Sequence, residues 1–171
     1  MEQELQKEIN KALTELIELL SSIKEDNINV IPFEGSWTAG QLAQHMIMSN
    51  GGFVETMNGA VKDTKRKPDE LVEKIRSTFL NFTTKLESPD FVRPTQKEYN
   101  KQQLLDALIQ IREQMSKTMQ TSDLTKTCMA FALPVLGYLT RLEAAHFVSV
   151  HTQRHVHQLK KIIGKLHKTP V

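Results

Sequence analysis

The chain of 171 residues contains a single cysteine, Cys128, so no intramolecular disulfide can form and a thiolate zinc knuckle is excluded. Any metal ion must be held mainly by nitrogen or oxygen. No stretch approaches the ~18 consecutive apolar residues of a membrane span, so no membrane partner is expected. The opening residues also lack the apolar segment of a secretory signal, and the chain reads as cytoplasmic. Charge of one sign is scarce too: the net charge is +2 and the lysines are interspersed with acids, which leaves no footprint for nucleic acid. Strand-period segments and internal repeats are missing as well. With 25% charged and 39% hydrophobic residues, the expectation is one soluble domain over residues 1–171.

Helical periodicity is abundant. Leu5, Ile9, Leu13, Leu16, Leu20 and Ile23 step by three or four and predict an amphipathic helix over 3–24. Asp26 to Asn29, with Pro32 and Gly35, make a connector, and Thr38-Ala39-Gly40-Gln41 has the form of a capping box opening a second helix to about Ala60. Lys62, Lys65, Arg66 and Lys67 follow, readable as an anion dock or a solvated crossover loop. Pro68-Asp69-Glu70 resembles a first helical turn, and Leu71, Ile75, Phe79, Phe82 and Leu86 carry a shorter third helix that Ser88-Pro89-Asp90 stops. Capping boxes at Thr95–Glu98 and Asn100–Gln103 bracket the start of the next helix, whose seam Leu104, Leu108, Ile111, Met115, Met119 runs to about Gln120. The connector 121–138 includes the apolar run Phe131 to Gly137, expected to pack over one end of a bundle. A last helix, Tyr138 to Leu166, carries a further capping box at Thr140-Arg141-Leu142-Glu143. The predicted fold is all-α: a four-helix bundle with one additional shorter helix.

Histidines dominate the chemistry of the last helix. His151 and His155 lie one turn apart on the face of Ala144, Phe147, Val148, Leu159 and Ile162, so both point into the core. His146 and His157 project towards Lys160 and Lys161 and are expected in solvent. Two core-facing imidazoles are costly unless something polar or metallic opposes them, and the second helix offers His45. Leu42, Ser49, Gly52 and Thr56 share nearly the same face as His45. Gly51 and Gly52 cost a helix about 1 kcal/mol each, a cost explained either by a hollow beside His45 or by close helix packing. Three imidazole nitrogens from two helices would leave open coordination positions, the layout of a reactive rather than a closed structural site. The alternative is three hydrogen-bonded core histidines in a structural or interaction protein.

Around them, Gln158 falls close to His151 on the helical wheel and either orients a ligand or bonds a neighbouring helix. Arg154 flanks the same face, as a holder of an anionic substrate group or as a snorkelling surface arginine. Trp37 is expected to pack under the second helix as a hydrophobic staple, with a pocket wall as the second possibility. Cys128 reads as a small buried hydrophobe, and Tyr138 is a candidate to reach the mouth of the site from the connector, its hydroxyl not placed by the sequence.

Three passages resemble the DinB-like superfamily of small metal-binding helical bundles. They are Trp37-Thr38-Ala39-Gly40-Gln41-Leu42-Ala43-Gln44-His45, the turn Pro134-Val135-Leu136-Gly137-Tyr138-Leu139-Thr140, and His151-Thr152-Gln153-Arg154-His155-Val156-His157-Gln158, whose HxxxH is followed three residues later by Gln. The resemblance spans most of the chain. It implies one divalent metal ion on His45, His151 and His155, and a reaction that is thiol transfer, thiol-dependent isomerisation or hydrolysis. Zinc and nickel are the first expectations, with manganese, iron and copper admissible. A low-molecular-weight thiol is the implied cosubstrate, with a small molecule as substrate. A non-catalytic metal- or small-molecule-binding stress protein is the other reading. Relatives often pair as homodimers, although no heptad asymmetry specifies one here. One position departs: Gln41 stands where the family often has an acidic residue, which puts the electrostatics around the ligands in question.

Overall fold

A computed structural model describes residues 2–167. Its helices are α1 (Glu2–Ser22), α2 (Ala39–Asn58), α3 (Val72–Phe79), α4 (Lys101–Thr121) and α5 (Arg141–Leu166). All but α3 are long, and they pack as a four-helix bundle in which α1 and α2 each lie against both α4 and α5. The apolar stripes meet as expected for such helices. Leu16, Leu20, Leu42, Met46, Leu108 and Leu159 are fully buried at one end, and Leu13, Met57, Ile75 and Met115 at the other. Each such side chain stabilises the fold by roughly 1.5–3 kcal/mol through removal from water.

The helix starts follow their caps. Thr38 and Thr140 each accept from the backbone N–H three residues on, while Gln41 and Glu143 return the bond to the cap backbone. Asn100, not Thr95, caps α4, accepting from the Gln103 N–H at 3.0 Å. Because Thr140 is the cap, α5 begins at Arg141, three residues later than its apolar pattern suggests.

Two expectations fail. The first is the absence of strands: β1 (Val61–Lys62), β2 (Thr127–Leu133) and β3 (Gly137–Thr140) form an antiparallel sheet in the order β1-β2-β3. Val61 pairs with Cys128, and Ala132 with Tyr138. Half-buried Phe131 and Leu133 alternate with exposed Ala130 and Ala132, so the period of two exists, but both faces are apolar and hydropathy does not display it. Phe131, Leu133 and Leu136 pack on the core, as expected of this connector, whereas Val135 is 95% exposed.

The second is the extent of α3, which begins at Val72, after a turn over residues 68–71 rather than with Pro68 in its first turn, and ends at Phe79 rather than near Leu86. Arg154 of α5 donates Nη1 to the carbonyls of Phe79 (3.3 Å) and Asn81 (2.8 Å) and Nη2 to that of Thr84. Asn81 Oδ1 accepts from Thr83 N–H, closing a local turn that competes with the helix. Phe82 and Leu86 leave the helical stripe and turn towards a cleft. Arg154 is therefore a clasp on this strap, neither a snorkelling side chain nor a free anion holder.

The basic segment before α3 is not merely solvated. Arg66 grips the fully buried Glu143 through two bonds of 2.5 and 2.6 Å, and the same carboxylate accepts from Leu71 N–H (2.8 Å) and Thr140 N–H (2.9 Å). One side chain thus joins the β3–α5 junction to the entry of α3.

The β2–β3 turn stores strain. Leu136 N–H bonds the Leu133 carbonyl at 3.2 Å around Pro134 and Val135, and Val135 has φ +71°. This is a turn with proline at its second position and a positive φ at its third, where glycine or asparagine is usual and a β-branched residue is disfavoured. Val135→Gly is expected to raise stability by about 0.5–1 kcal/mol, read as a higher urea midpoint at unchanged slope. A lower midpoint would mean that the valine side chain contributes packing that outweighs the strain.

Candidate metal centre

His45 stands two turns into α2, and His151 and His155 stand one turn apart in mid-α5; the packing of α2 on α5 brings all three together. Asn50 Nδ2 donates to Thr152 Oγ1 at 3.1 Å and ties the two helices beside them. His151 Nε2 lies 3.3 Å from His45 Nε2 and 3.1 Å from His155 Nε2. All three residues are buried, and one nitrogen of each lies within 4.8 Å of the others.

The outer nitrogens determine which tautomers are present. His45 Nδ1 is 2.7 Å from the Val92 carbonyl, which can only accept, so Nδ1 carries the proton and Nε2 is a bare lone pair. His155 Nδ1 donates likewise to Gln158 Oε1 at 2.9 Å. His151 Nδ1 is 3.3 Å from Ser49 Oγ. A single N–H on His151 Nε2 would serve only one of the two lone pairs that face it.

Burial pushes all three imidazoles below the ordinary histidine range. His155 falls to about 3, with the neighbouring His45 adding to the effect, and His151 falls well below through burial and then its two histidine neighbours. His45 is lowered by burial against the opposing pull of the Val92 carbonyl. Near neutral pH the centre therefore consists of three uncharged donors. Tetrahedral zinc with imidazole bonds of about 2.0–2.1 Å spaces its nitrogens roughly 3.3 Å apart, close to both observed separations. The donor set fits a divalent ion, with one or more positions open.

The centre opens on a cleft of about 1360 Å³ between α2, α5, the strap 80–92 and the hairpin β2–β3. Trp37, Ser49, Gly52, Arg154 and Gln158 all line it. Trp37 does more than staple the helix, since its ring lies 5.1 Å from that of His45. A Cβ on Gly52 would meet nothing within 4 Å, whereas one on Gly51 would touch Ile111 at 3.6 Å, so one glycine borders the hollow and the other faces α4. Gln41 does not line the cleft: its amide oxygen is engaged with Thr38 N–H at 2.9 Å. Tyr138 lies on the sheet beneath Lys62, away from the cleft. Cys128 is fully buried, and burial pushes its thiol up.

Both histidines expected in solvent are covered in part. His157 stacks on Phe82 at 4.6 Å, and half-buried His146 lies 3.4 Å from Arg76, which pairs with Glu8. The strap and α3 supply these partners, and neither could be placed on α5 by the helical wheel. The Val92 carbonyl was also out of reach of sequence reasoning, because a backbone acceptor in an irregular segment carries no residue signal.

Gln158→Leu removes the acceptor that holds His155 while keeping the volume. It is expected to weaken divalent-ion affinity by about 10–100-fold, measured by competition with a chromophoric chelator. An unchanged affinity would assign Gln158 to packing alone.

No curated protein matches the chain in a sequence search. Two solved structures share the fold. The four-helix bundle protein TT2238 is 16% identical with a TM-score of 0.59, over 94% of this chain and 99% of that one. YfiT from Bacillus subtilis, a probable metal-dependent hydrolase with an unusual four-helix bundle topology, is 11% identical with a TM-score of 0.62, over 98% of this chain and 89% of that one. At these identities the likeness concerns the fold. The family model of the DinB superfamily matches residues 8–159, a span that contains all three histidines, and the chain belongs to that superfamily.

Proposed function

We propose that the protein is a cytoplasmic divalent-metal-dependent transferase that joins a low-molecular-weight thiol to a small electrophile. The observation that carries this reading is the convergence of three uncharged Nε2 donors, with no carboxylate among them, at the floor of an apolar cleft. An ion held by His45, His151 and His155 would supply Lewis acidity that lowers the pKa of a thiol, so that no separate base would be needed. The chain's own residues prepare that centre. Val92 and Gln158 hold the rings of His45 and His155 in the one tautomer that leaves Nε2 free. Trp37 and Phe147 shield the floor from water, Phe147 stacking on His151 at 5.0 Å. In the transfer itself the sulfur–carbon bond forms, the leaving group departs with its electron pair, and the thiol proton is released to solvent.

A metal-dependent hydrolase is the second reading, favoured by the fold likeness to YfiT, a probable metal-dependent hydrolase. In that case the same three histidines would hold an ion whose Lewis acidity serves water rather than a thiol. Tag-free protein loaded with zinc or nickel separates the two. Thiol-dependent turnover of 1-chloro-2,4-dinitrobenzene that is lost with His151→Ala supports transfer, and thiol-independent cleavage of a p-nitrophenyl ester with the same dependence supports hydrolysis. If neither exceeds the rate of the His151→Ala variant, the catalytic reading fails and a binding role remains.

A further inference from the structure

The aromatic residues are distributed unevenly. All seven phenylalanines of the chain and its single tryptophan line the cleft. The core at the other end of the bundle is built instead from Leu, Ile, Met, Ala and Val156, with Tyr99 its buried aromatic and Trp37 packed against its edge. Core packing alone does not require this partition, since aliphatic side chains fill the rest of the bundle.

The rings also make an ordered path. Phe91 at the mouth, 57% exposed, meets Phe131 at 5.5 Å, and Phe131 meets Phe53 edge-on at 6.2 Å. Phe53 lies 4.5 Å from Phe147, which stacks on His151. An unbroken wall of ring contacts therefore runs from solvent to the histidine centre. Phe33 and Phe82 are exposed at the rim as well, Phe82 with one face stacked on His157. The charge of the lining is lopsided: Lys74, Lys85 and Lys161, beside Arg93 and Arg154 that are engaged with Asp90 and the strap carbonyls, stand against only Glu55 and Glu87.

From this we propose that the cleft is a receptor for an extended, multi-ring aromatic molecule carrying an anionic group. Ring edges and faces at centroid separations of 4.5–6.2 Å offer quadrupole contacts that an aliphatic chain of equal area cannot use. The cationic lining suits the negative substituent. That this molecule is the electrophile presented to the ion rests on the function proposed above; its binding in the cleft does not.

Isothermal calorimetry with 2-naphthoate tests the assignment, with the emission of Trp37 as a second readout because it is the chain's only indole and lies on the cleft wall. The saturated decahydronaphthalene-2-carboxylate serves as comparison, and metal-free and zinc-loaded protein are both titrated. Saturable one-to-one binding is expected, with the aromatic acid about fivefold tighter or more. Phe91→Ala and Phe131→Ala, each checked for helicity and for unchanged zinc content, are expected to weaken it by a similar factor. No saturable binding in either form, equal binding of the two acids, or wild-type affinity in both variants would each overturn the proposal. Phe-dependent binding of naphthoate by protein that takes up no zinc would uphold the cleft assignment and defeat the metal reading. Stoichiometric zinc without naphthoate binding would do the opposite.

Discussion

His151→Ala is expected to abolish stoichiometric binding of a divalent ion while leaving the bundle folded. Its Nε2 makes both short contacts of the centre, at 3.3 Å to His45 and 3.1 Å to His155, so it is the donor whose loss separates the other two. Removing a hydrogen-bond partner of a ligand costs about 10–100-fold in affinity, and removing the ligand itself should exceed that. The helix survives because its cap at Thr140 and its core residues Ala144, Val148, Leu159 and Ile162 are untouched. Folding and binding are linked: an ion at a hundred times its dissociation constant adds about 2.7 kcal/mol. For a chain of this size that raises the melting temperature by roughly 5–11 °C. Melts of tag-free protein with zinc and with chelator check both statements. A zinc-induced rise of equal size in wild type and variant would place the ion elsewhere and remove the basis of the three-histidine centre.

The largest purely structural effect is expected from Glu143→Ala. This carboxylate is completely buried and accepts from Arg66, Leu71 N–H and Thr140 N–H. Truncation strands the guanidinium of Arg66, only 26% exposed, and two backbone N–H groups at once. Breaking one side of a buried pair costs about 3–5 kcal/mol, far more than the net value of the pair itself. The corresponding fall in melting temperature is roughly 6–20 °C. Glu143→Gln keeps an acceptor and the shape, and should lose less. Glu143 stands two turns from His151 on α5, so zinc affinity per folded molecule should not change with either substitution. Urea titration and metal binding measured on the same samples give the answer. A loss below about 1 kcal/mol for Glu143→Ala would mean that water replaces the carboxylate at this junction.

The long helices were legible because their signals are local. Apolar residues at steps of three and four, and capping residues such as Thr38, Asn100 and Thr140, act within one or two turns of their own chain. The same locality placed His151 and His155 on one face. The sheet escaped notice because Ala130 and Ala132 are as apolar in composition as the Phe131 and Leu133 they alternate with. The end of α3 escaped because Arg154, some 75 positions away, takes the carbonyls that the helix would otherwise have used. The resemblance ties Gln41 to the surroundings of the ligands, yet its amide is consumed by the cap it helps to form.

The sequence by itself therefore determined the long helices, the caps at Thr38 and Thr140, and the inward face shared by His151 and His155, since each of these depends on interactions between residues a few positions apart. Only the tertiary structure decided that α2 lies against α5 closely enough to bring His45 Nε2 to 3.3 Å from His151 Nε2. It alone decided that the Val92 carbonyl selects the tautomer of His45, and that phenylalanines scattered from Phe33 to Phe147 line one cleft. Those contacts join residues tens of positions apart, and their energy is realised only when the bundle closes.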